Sequence, residues 1–427
     1  MRRITVVLAC LSLLLFPLLT RAGHDDLVRP ETALKNKKIP NQYIVMLKEG
    51  ADLDVNVNAL VKQKKGEILQ KFQHAFKGYV ATLTDAQAEA LKNDPAVADV
   101  VQDEEVHIDG KWDPISILAQ SLPTGVNRIN AETKANTGAG VEVAVLDTGI
   151  DTSHPDLKAN ILGGVSCVKG ETATTDGNGH GTHVAGTIAA LGNTQGVVGV
   201  APGAKLWAVK VLNKRGSGTW SSVICGLDWV KSQSTHIKVA SMSLGGTGTA
   251  GADCNASPLR KAICNAVNAG VTVVVAAGNE SDDLKNHVPA AFPETIVVSA
   301  LADSDGAACG TGAKTSYGAD DTFASFSNYA TQPADLARLI GAPGVSIYST
   351  WKGSIYNTIS GTSMATPHVA GAAALWIKGH PGATPAQVKA GLLAAAESGN
   401  FNGECASGNS HVSTTLHPEG VLRAETL

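Results

Sequence analysis

Val141-Glu142-Val143-Ala144-Val145-Leu146-Asp147-Thr148-Gly149-Ile150 is a nearly unbroken apolar run that ends on a carboxylate and a glycine turn. Such a run reads as a strand buried on both faces, which belongs to a parallel sheet covered by helices. Four more runs of the same texture follow: Leu206 to Leu212, Val239 to Leu244, Val271 to Ala276 and Thr295 to Ala300. They alternate with helical stretches at Gly181 to Leu191, Ser221 to Gln233, Pro258 to Asn268, Thr362 to Lys378 and Pro385 to Ala396. The pattern predicts a three-layer α/β/α fold with a mostly parallel sheet. Chemistry then collects at the carboxyl ends of the strands, where Asp147 stands.

Upstream the texture changes. Tyr43 to Leu47, Ile68 to Gln73, Gly78 to Leu83 and Val97 to Val106 read as strands. Val55 to Lys64 and Asp85 to Asn93 read as helices, the second capped by Thr84. This predicts a small α+β domain over residues 43–106, a linker at 107–119 carrying Gly110 and Pro114, and the α/β domain over 120–427. At the start, Arg2 and Arg3 precede an apolar stretch from Ile4 to Leu19 and small residues up to Ala22, a secretory signal peptide over 1–22. That stretch is slightly short for a membrane span. Residues 23–42 read as a polar, basic leader.

Seven cysteines, less Cys10 in the signal peptide, leave six. None forms a C-x-x-C, which disfavours structural zinc and fits three disulfides made in an oxidising compartment. Cys225 and Cys264 fall in helices flanking one strand and are expected to be bridged, with Cys254 an equally available partner for Cys264. The balance of 34 Lys plus Arg against 38 Asp plus Glu gives a net charge of −4, and 44% of the residues are hydrophobic. That composition is soluble and globular, and it argues against nucleic-acid binding and against affinity for anionic membranes. The expected mature protein is secreted, extracellular and monomeric.

Three separated motifs carry chemistry: V-A-V-L-D-T-G-I-D around Asp147, N-G-H-G-T-H-V-A-G-T opening at His180, and S-G-T-S-M-A-T-P-H-V-A-G around Ser363. An Asp, a His and a Ser brought together form a nucleophilic triad, the His taking the serine proton and the Asp holding the imidazole. The G-x-S-x-G elbow of another hydrolase class is absent, since Ser363 sits in G-T-S-M-A. His183 and His368, inside the same motifs, read as packing residues. H-G-T-H lacks the glutamate of the H-E-x-x-H zinc motif.

In these three motifs and in their order, the chain resembles the subtilisin-like serine proteases from about Gln120 to Ala396. The resemblance implies the triad Asp147, His180 and Ser363, with an oxyanion hole from the Asn279 amide and the Ser363 N–H. It sets the bland reading of A-A-G-N as a turn aside, together with the sequon Asn279-Glu280-Ser281; Asn255-Ala256-Ser257 is weakened by Pro258. An extended substrate would add as a strand between Gly216-Ser217-Gly218 and Ser243-Leu244-Gly245-Gly246. Gly245, Gly246, Ala276 and Gly278 would wall the primary pocket, and Trp220, Val223 and Leu244 a distal apolar one. Large apolar residues before the scissile bond would be favoured; Asp282, Asp283 and His287 leave the pocket floor open.

The resemblance also implies a structural calcium held by Gln120, Asp156, Leu191, Asn193, Gln195 and Val197, an oxygen-only ligand set. Leu339 stands where a weaker cation site would need Asp, so that site is not expected. Residues 43–106 resemble the family's inhibitory propeptide, which acts as inhibitor and as folding aid for a slow parallel sheet. The alternatives are a processing protease of narrow specificity, for which an acidic distal pocket would argue, and a non-catalytic pseudoprotease, against which the intact Asp147, His180, Ser363 and Asn279 stand.

Overall fold

The computed structural model describes residues 37–62, 66–108, 111–115, 120–397, 411–425 and 427. The signal peptide, the leader up to residue 36, part of the linker, Cys10 and Cys405 lie outside the described residues. Among the described residues no helix is long and apolar enough to cross a membrane.

The N-terminal elements are β1 (Lys38–Leu47), α1 (Leu53–Lys62), β2 (Glu67–Phe72), β3 (Gly78–Thr82), α2 (Asp85–Lys92) and β4 (Val97–Ile108). β1 lies between β3 and β4, antiparallel to both. Period-two alternation gives this sheet two apolar faces. Tyr43, Val45 and Leu47 enter a core with Leu53 and Leu60 of α1 and Ala88 of α2, whereas Ile44 and Met46 belong to a core shared with the larger domain. Thr84 caps α2 as expected, in a reciprocal capping box with Gln87. Two boundaries differ from the sequence reading. β1 opens at Lys38, inside the expected leader, because Lys38 pairs with Glu104 of β4. β4 continues through His107 and Ile108, inside the expected linker.

The chain continues through β5 (Lys111–Ile115), α3 (Thr124–Arg128), β6 (Glu142–Asp147), β7 (Ile161–Ser166), α4 (His180–Ala189), β8 (Lys205–Lys210) and β9 (Ser217–Thr219). Next come α5 (Trp220–Ser232), β10 (Ile237–Met242), β11 (Leu244–Thr247), α6 (Pro258–Asn268), β12 (Thr272–Ala276), β13 (His287–Val288), β14 (Ile296–Ala302) and β15 (Thr322–Phe323). The last are α7 (Pro333–Leu336), β16 (Leu339–Pro343), β17 (Ile347–Trp351), β18 (Ile355–Ser360), α8 (Thr362–Gly379) and α9 (Pro385–Ala395).

The main sheet runs β15-β14-β12-β10-β6-β8-β7, with β16 also on β14. All its pairings are parallel except β14 with β15. The five expected strands are all in it. β6 makes the physics plain: Val143 and Val145 pack into the layer containing Val184 of α4 and Val369 of α8, Ala144 and Leu146 into the layer containing Leu227 of α5 and Ile263 of α6. The sheet is mostly parallel and helices cover both faces, as expected.

The cysteine expectation is corrected. Cys225 is bridged to Cys167, and Cys264 to Cys254; Cys309 is disulfide-bonded as well. Cys225 shares a face of α5 with Trp229, four residues on, and Trp229 packs edge-on against Trp207 of β8 with ring centroids 5.5 Å apart. That face looks toward β7, which Cys167 follows, and not toward α6.

Candidate active site

Asp147 is the last residue of β6, His180 the first of α4 and Ser363 lies in the first turn of α8. All three are buried. His180 Nδ1 lies 2.8 Å from Asp147 Oδ1 and 2.9 Å from Oδ2, and Thr148 N donates to Asp147 Oδ1 at 2.7 Å. This close approach explains the glycine of H-G-T-H. A Cβ on Gly181 would lie 2.1 Å from the Gly149 carbonyl and 3.1 Å from Asp147, so any larger residue would push α4 off the strand end.

The buried carboxylate of Asp176 anchors the same helix end, and the sequence reading passed over it. It accepts from Gly179 N at 2.7 Å, from Thr148 Oγ1 at 2.9 Å, and from Thr182 N and Oγ1 at 2.9 and 2.7 Å. Its only signal was its place in D-G-N-G-H, four residues before His180.

α4 packs against α8. Ser363 Oγ donates to the Ser243 carbonyl at 3.1 Å, and Ser243 Oγ donates to the Ser363 carbonyl at 2.9 Å. His180 Nε2, buried, has no hydrogen-bond partner among the described residues. Asn279 follows β12. Its Oδ1 accepts from Thr362 N and Oγ1, both at 2.9 Å, which commits the oxygen and leaves the Nδ2 donor available. The N–H groups of the first turn of α8 have no intrahelical acceptor, so a second donor stands at Ser363. His183 and His368 are structural, as expected. His183 Nε2 lies 2.9 Å from the Ile347 carbonyl, and His368 Nδ1 2.9 Å from that of Met364. Burial holds their imidazoles down, to about 3 and about 4.

The groove is filled by the chain itself. β4 lies between β9 and β11, with Val106 opposite Gly218, His107 opposite Ser217 and Gly245, and Ile108 opposite Leu244. Ile108 N donates to the Gly216 carbonyl at 3.0 Å. Val106 is fully buried in the apolar cluster that holds Trp220, Val223 and Leu244. Beyond Ser363, β5 pairs with β18, Lys111 opposite Ser360. Gly245, Gly246, Ala276 and Gly278 line one small cavity together with Glu280 and His287. The imidazole of His287 is 3.0 Å from Asp282 and 3.4 Å from Glu280, which holds its ring in that lining. Asp283 instead pairs with Lys285 at 2.7 Å.

The N-terminal sheet docks through charge as well as apolar area. Buried Asp103 accepts from Ser221 N at the start of α5 at 3.0 Å, and from Gln42 Nε2 at 2.6 Å. Asp228 of α5 accepts from the backbone N–H groups of Gln73, His74 and Ala75. Phe72, Phe76, Val80 and Val106 share a core with Val223, Leu227 and Leu259.

Most of the expected calcium ligands converge. Gln120 Nε2 donates to the carbonyls of Leu191 and Val197 at 2.9 and 3.2 Å, and Asn193 Nδ2 to Asp156 Oδ1 at 2.9 Å. Both amides thus present nitrogen, not oxygen, to these acceptors. Turning both over presents Gln120 Oε1 and Asn193 Oδ1 beside the carboxylate and the two carbonyls, a donor set that fits a hard cation. Gln195 N donates to Asn193 Oδ1 at 3.0 Å. Val197 N and the Tyr356 hydroxyl hold Asp156 Oδ2.

Comparison with known proteins agrees with this architecture. Residues 138–421 match the subtilase family (peptidase S8) and residues 42–109 the peptidase inhibitor I9 family. The chain belongs to the subtilase family: it is a subtilisin-like serine endopeptidase with an inhibitor I9 propeptide domain. It is 41% identical to Subtilisin NAT of Bacillus subtilis subsp. natto over 82% of this chain and 83% of that one. It is 39% identical to the alkaline protease of Shouchella clausii over 87% and 86%, and 44% identical to Subtilisin Savinase of Lederbergia lenta over 72% and 98%. The crystal structure of a cold-adapted subtilisin-like serine proteinase superposes with a TM-score of 0.56 at 34% identity, covering 70% of this chain and 97% of that one.

Proposed function

We propose that Ser363 is the nucleophile, His180 its general base and Asp147 the group that orients and charges that base, in a secreted endopeptidase that matures by cutting itself. The observation that carries this reading is the buried His180–Asp147 contact of 2.8 Å, at the start of a helix that packs against α8. Rotation of Ser363 about Cα–Cβ passes its proton from the Ser243 carbonyl to His180 Nε2 as Oγ attacks the substrate carbonyl. The oxyanion is met by Asn279 Nδ2 and Ser363 N–H, the leaving amine takes the proton from His180, and water then hydrolyses the acyl-enzyme by the same base. A serine-directed fluorophosphonate is expected to label Ser363; labelling of another residue overturns the assignment.

Substrate binds as β4 lies, one strand between Gly216-Ser217-Gly218 and Ser243-Leu244-Gly245-Gly246, with an apolar side chain in the pocket of Trp220, Val223 and Leu244. The residue before the scissile bond enters between Gly245, Gly246, Ala276 and Gly278, and large apolar side chains are preferred as far as His287 allows. Calcium is a structural cofactor held by Gln120, Asp156, Leu191, Asn193, Gln195 and Val197, where it fixes the loop after α4. Residues 43–106 act as a tethered inhibitor and folding template, the mature enzyme is monomeric, and secretion follows from residues 1–22.

A further inference from the structure

The loop between β14 and β15 carries an acidic group unrelated to the groove and to the calcium ligands above. One carboxylate oxygen each of Asp303, Asp305 and Asp320 lies within 4.8 Å of the others. Hydrogen bonds to the loop satisfy part of the set. Asp320 accepts from Ser304 N and Oγ and from Gly312 N, Asp305 from Ala307 N and Thr311 Oγ1, and Asp303 Oδ1 from Gly306 N. Asp303 is 1% exposed, yet its Oδ2 has no donor. A bare carboxylate oxygen in a protein interior is costly, and turn capping does not account for it.

No hydrogen bond from the neighbouring guanidinium reaches Asp303 Oδ2. Arg128 donates through Nε to Asp321 and through Nη2 to Glu397, each at 2.6 Å.

We infer that Asp303, Asp305 and Asp320 form a second cation site, selective for an ion of calcium's charge and hardness. Three carboxylates in a loop rich in backbone carbonyls suit a flexible shell of six to eight oxygens at calcium distances. The ion supplies the missing partner of Asp303 Oδ2 and ties the start of the loop, at Asp303 and Asp305, to its end, at Asp320. It would stabilise the folded chain by mass action.

The test is calcium stoichiometry and unfolding temperature of the full-length Ser363→Ala chain, stripped with chelator and titrated with calcium chloride alone. Asp305→Asn, at an exposed position, and Asp303→Asn, which keeps an acceptor for Gly306, should each lose one bound calcium per chain. Asp303→Asn should also unfold no lower than its parent in chelator, and calcium should raise its melting temperature less. Asp156→Asn should remove a different ion, so the two losses add in the combined variant. Unchanged stoichiometry and affinity in both loop variants would overturn the site. If the loop variants lose an ion and Asp156→Asn does not, the site stands and the Gln120–Asp156 proposal fails instead.

Discussion

His287 lines the small cavity walled by Gly245, Gly246, Ala276 and Gly278, its ring held between Asp282 and Glu280. Removing the ring opens volume against glycine walls. His287→Gly should therefore shift a peptide-library profile toward Phe, Tyr and Leu before the cut, by roughly tenfold in kcat/KM, the scale of one or two methylenes of apolar discrimination. An unchanged profile would mean that His287 does not set the depth. Asn279 makes the complementary case for chemistry. A hydrogen bond to a developing charge contributes about 1.5–3 kcal/mol, so Asn279→Leu should lower kcat by roughly 10- to 150-fold at little cost in KM. A rise in KM alone would assign Asn279 to ground-state binding. His183 and His368 give the pH dependence. Their folded values lie near 3 and 4, below the ordinary 6.5 of the unfolded chain. The unfolded state alone takes up protons below 6.5, so their contribution is complete above that pH and is lost as pH falls toward 4. Each loses on the order of 3 kcal/mol by pH 4. Denaturant midpoints of Ser363→Ala should fall between pH 7 and pH 5; a flat profile would contradict neutral burial.

At the scale of elements, the N-terminal sheet is stabilised on the larger domain by β4 in the groove, by Asp103 at the start of α5, and by an apolar face that includes Phe72 and Phe76. Truncating a buried Phe to Ala costs about 3 kcal/mol or more. Phe76→Ala should therefore speed dissociation of the cleaved propeptide by roughly 100-fold, seen as earlier appearance of activity after processing. An unaltered lag would place the docking energy elsewhere. Which of these elements the sequence announced follows from their surroundings. The five central strands are buried on both faces and so are written as continuous apolar runs. Edge strands β7 and β16 carry Gly163, Gly164 and Gly341 and end on turn or proline residues, and they left no such trace. β5 and the start of β1 were read as linker and leader because what makes them strands is a partner far along the chain: Ser360 for Lys111 and Glu104 for Lys38. The disulfides failed for a related reason. Sequence placed Cys225 on a helix but could not give the face it turns to β7. The residues proposed for the site inside the three motifs carry a sequence signature because the chemistry restricts them; Asp176 carries none, since a buried anchor for backbone N–H groups has no motif of its own.

At the scale of the whole molecule, the three sheets meet around the serine. The N-terminal sheet reaches it through β4, whose last residue Ile108 pairs with Leu244; the small sheet reaches it through β5, whose first residue Lys111 pairs with Ser360. Both partners adjoin Ser363, Leu244 through Ser243 and Ser360 through the turn that opens α8. The first self-cut is therefore expected between Ile108 and Lys111, a narrower window than the linker itself. Ser363→Ala should accumulate near full length, lacking only the signal segment. The active chain should yield two pieces that copurify until the smaller is degraded, and N-terminal sequencing of the larger should start at Asp109, Gly110 or Lys111. A cut after Lys111 would mean that the register of β4 in the groove is not the register of cleavage. Cutting of purified Ser363→Ala at the same bond, with no other protease present, would refute self-processing outright.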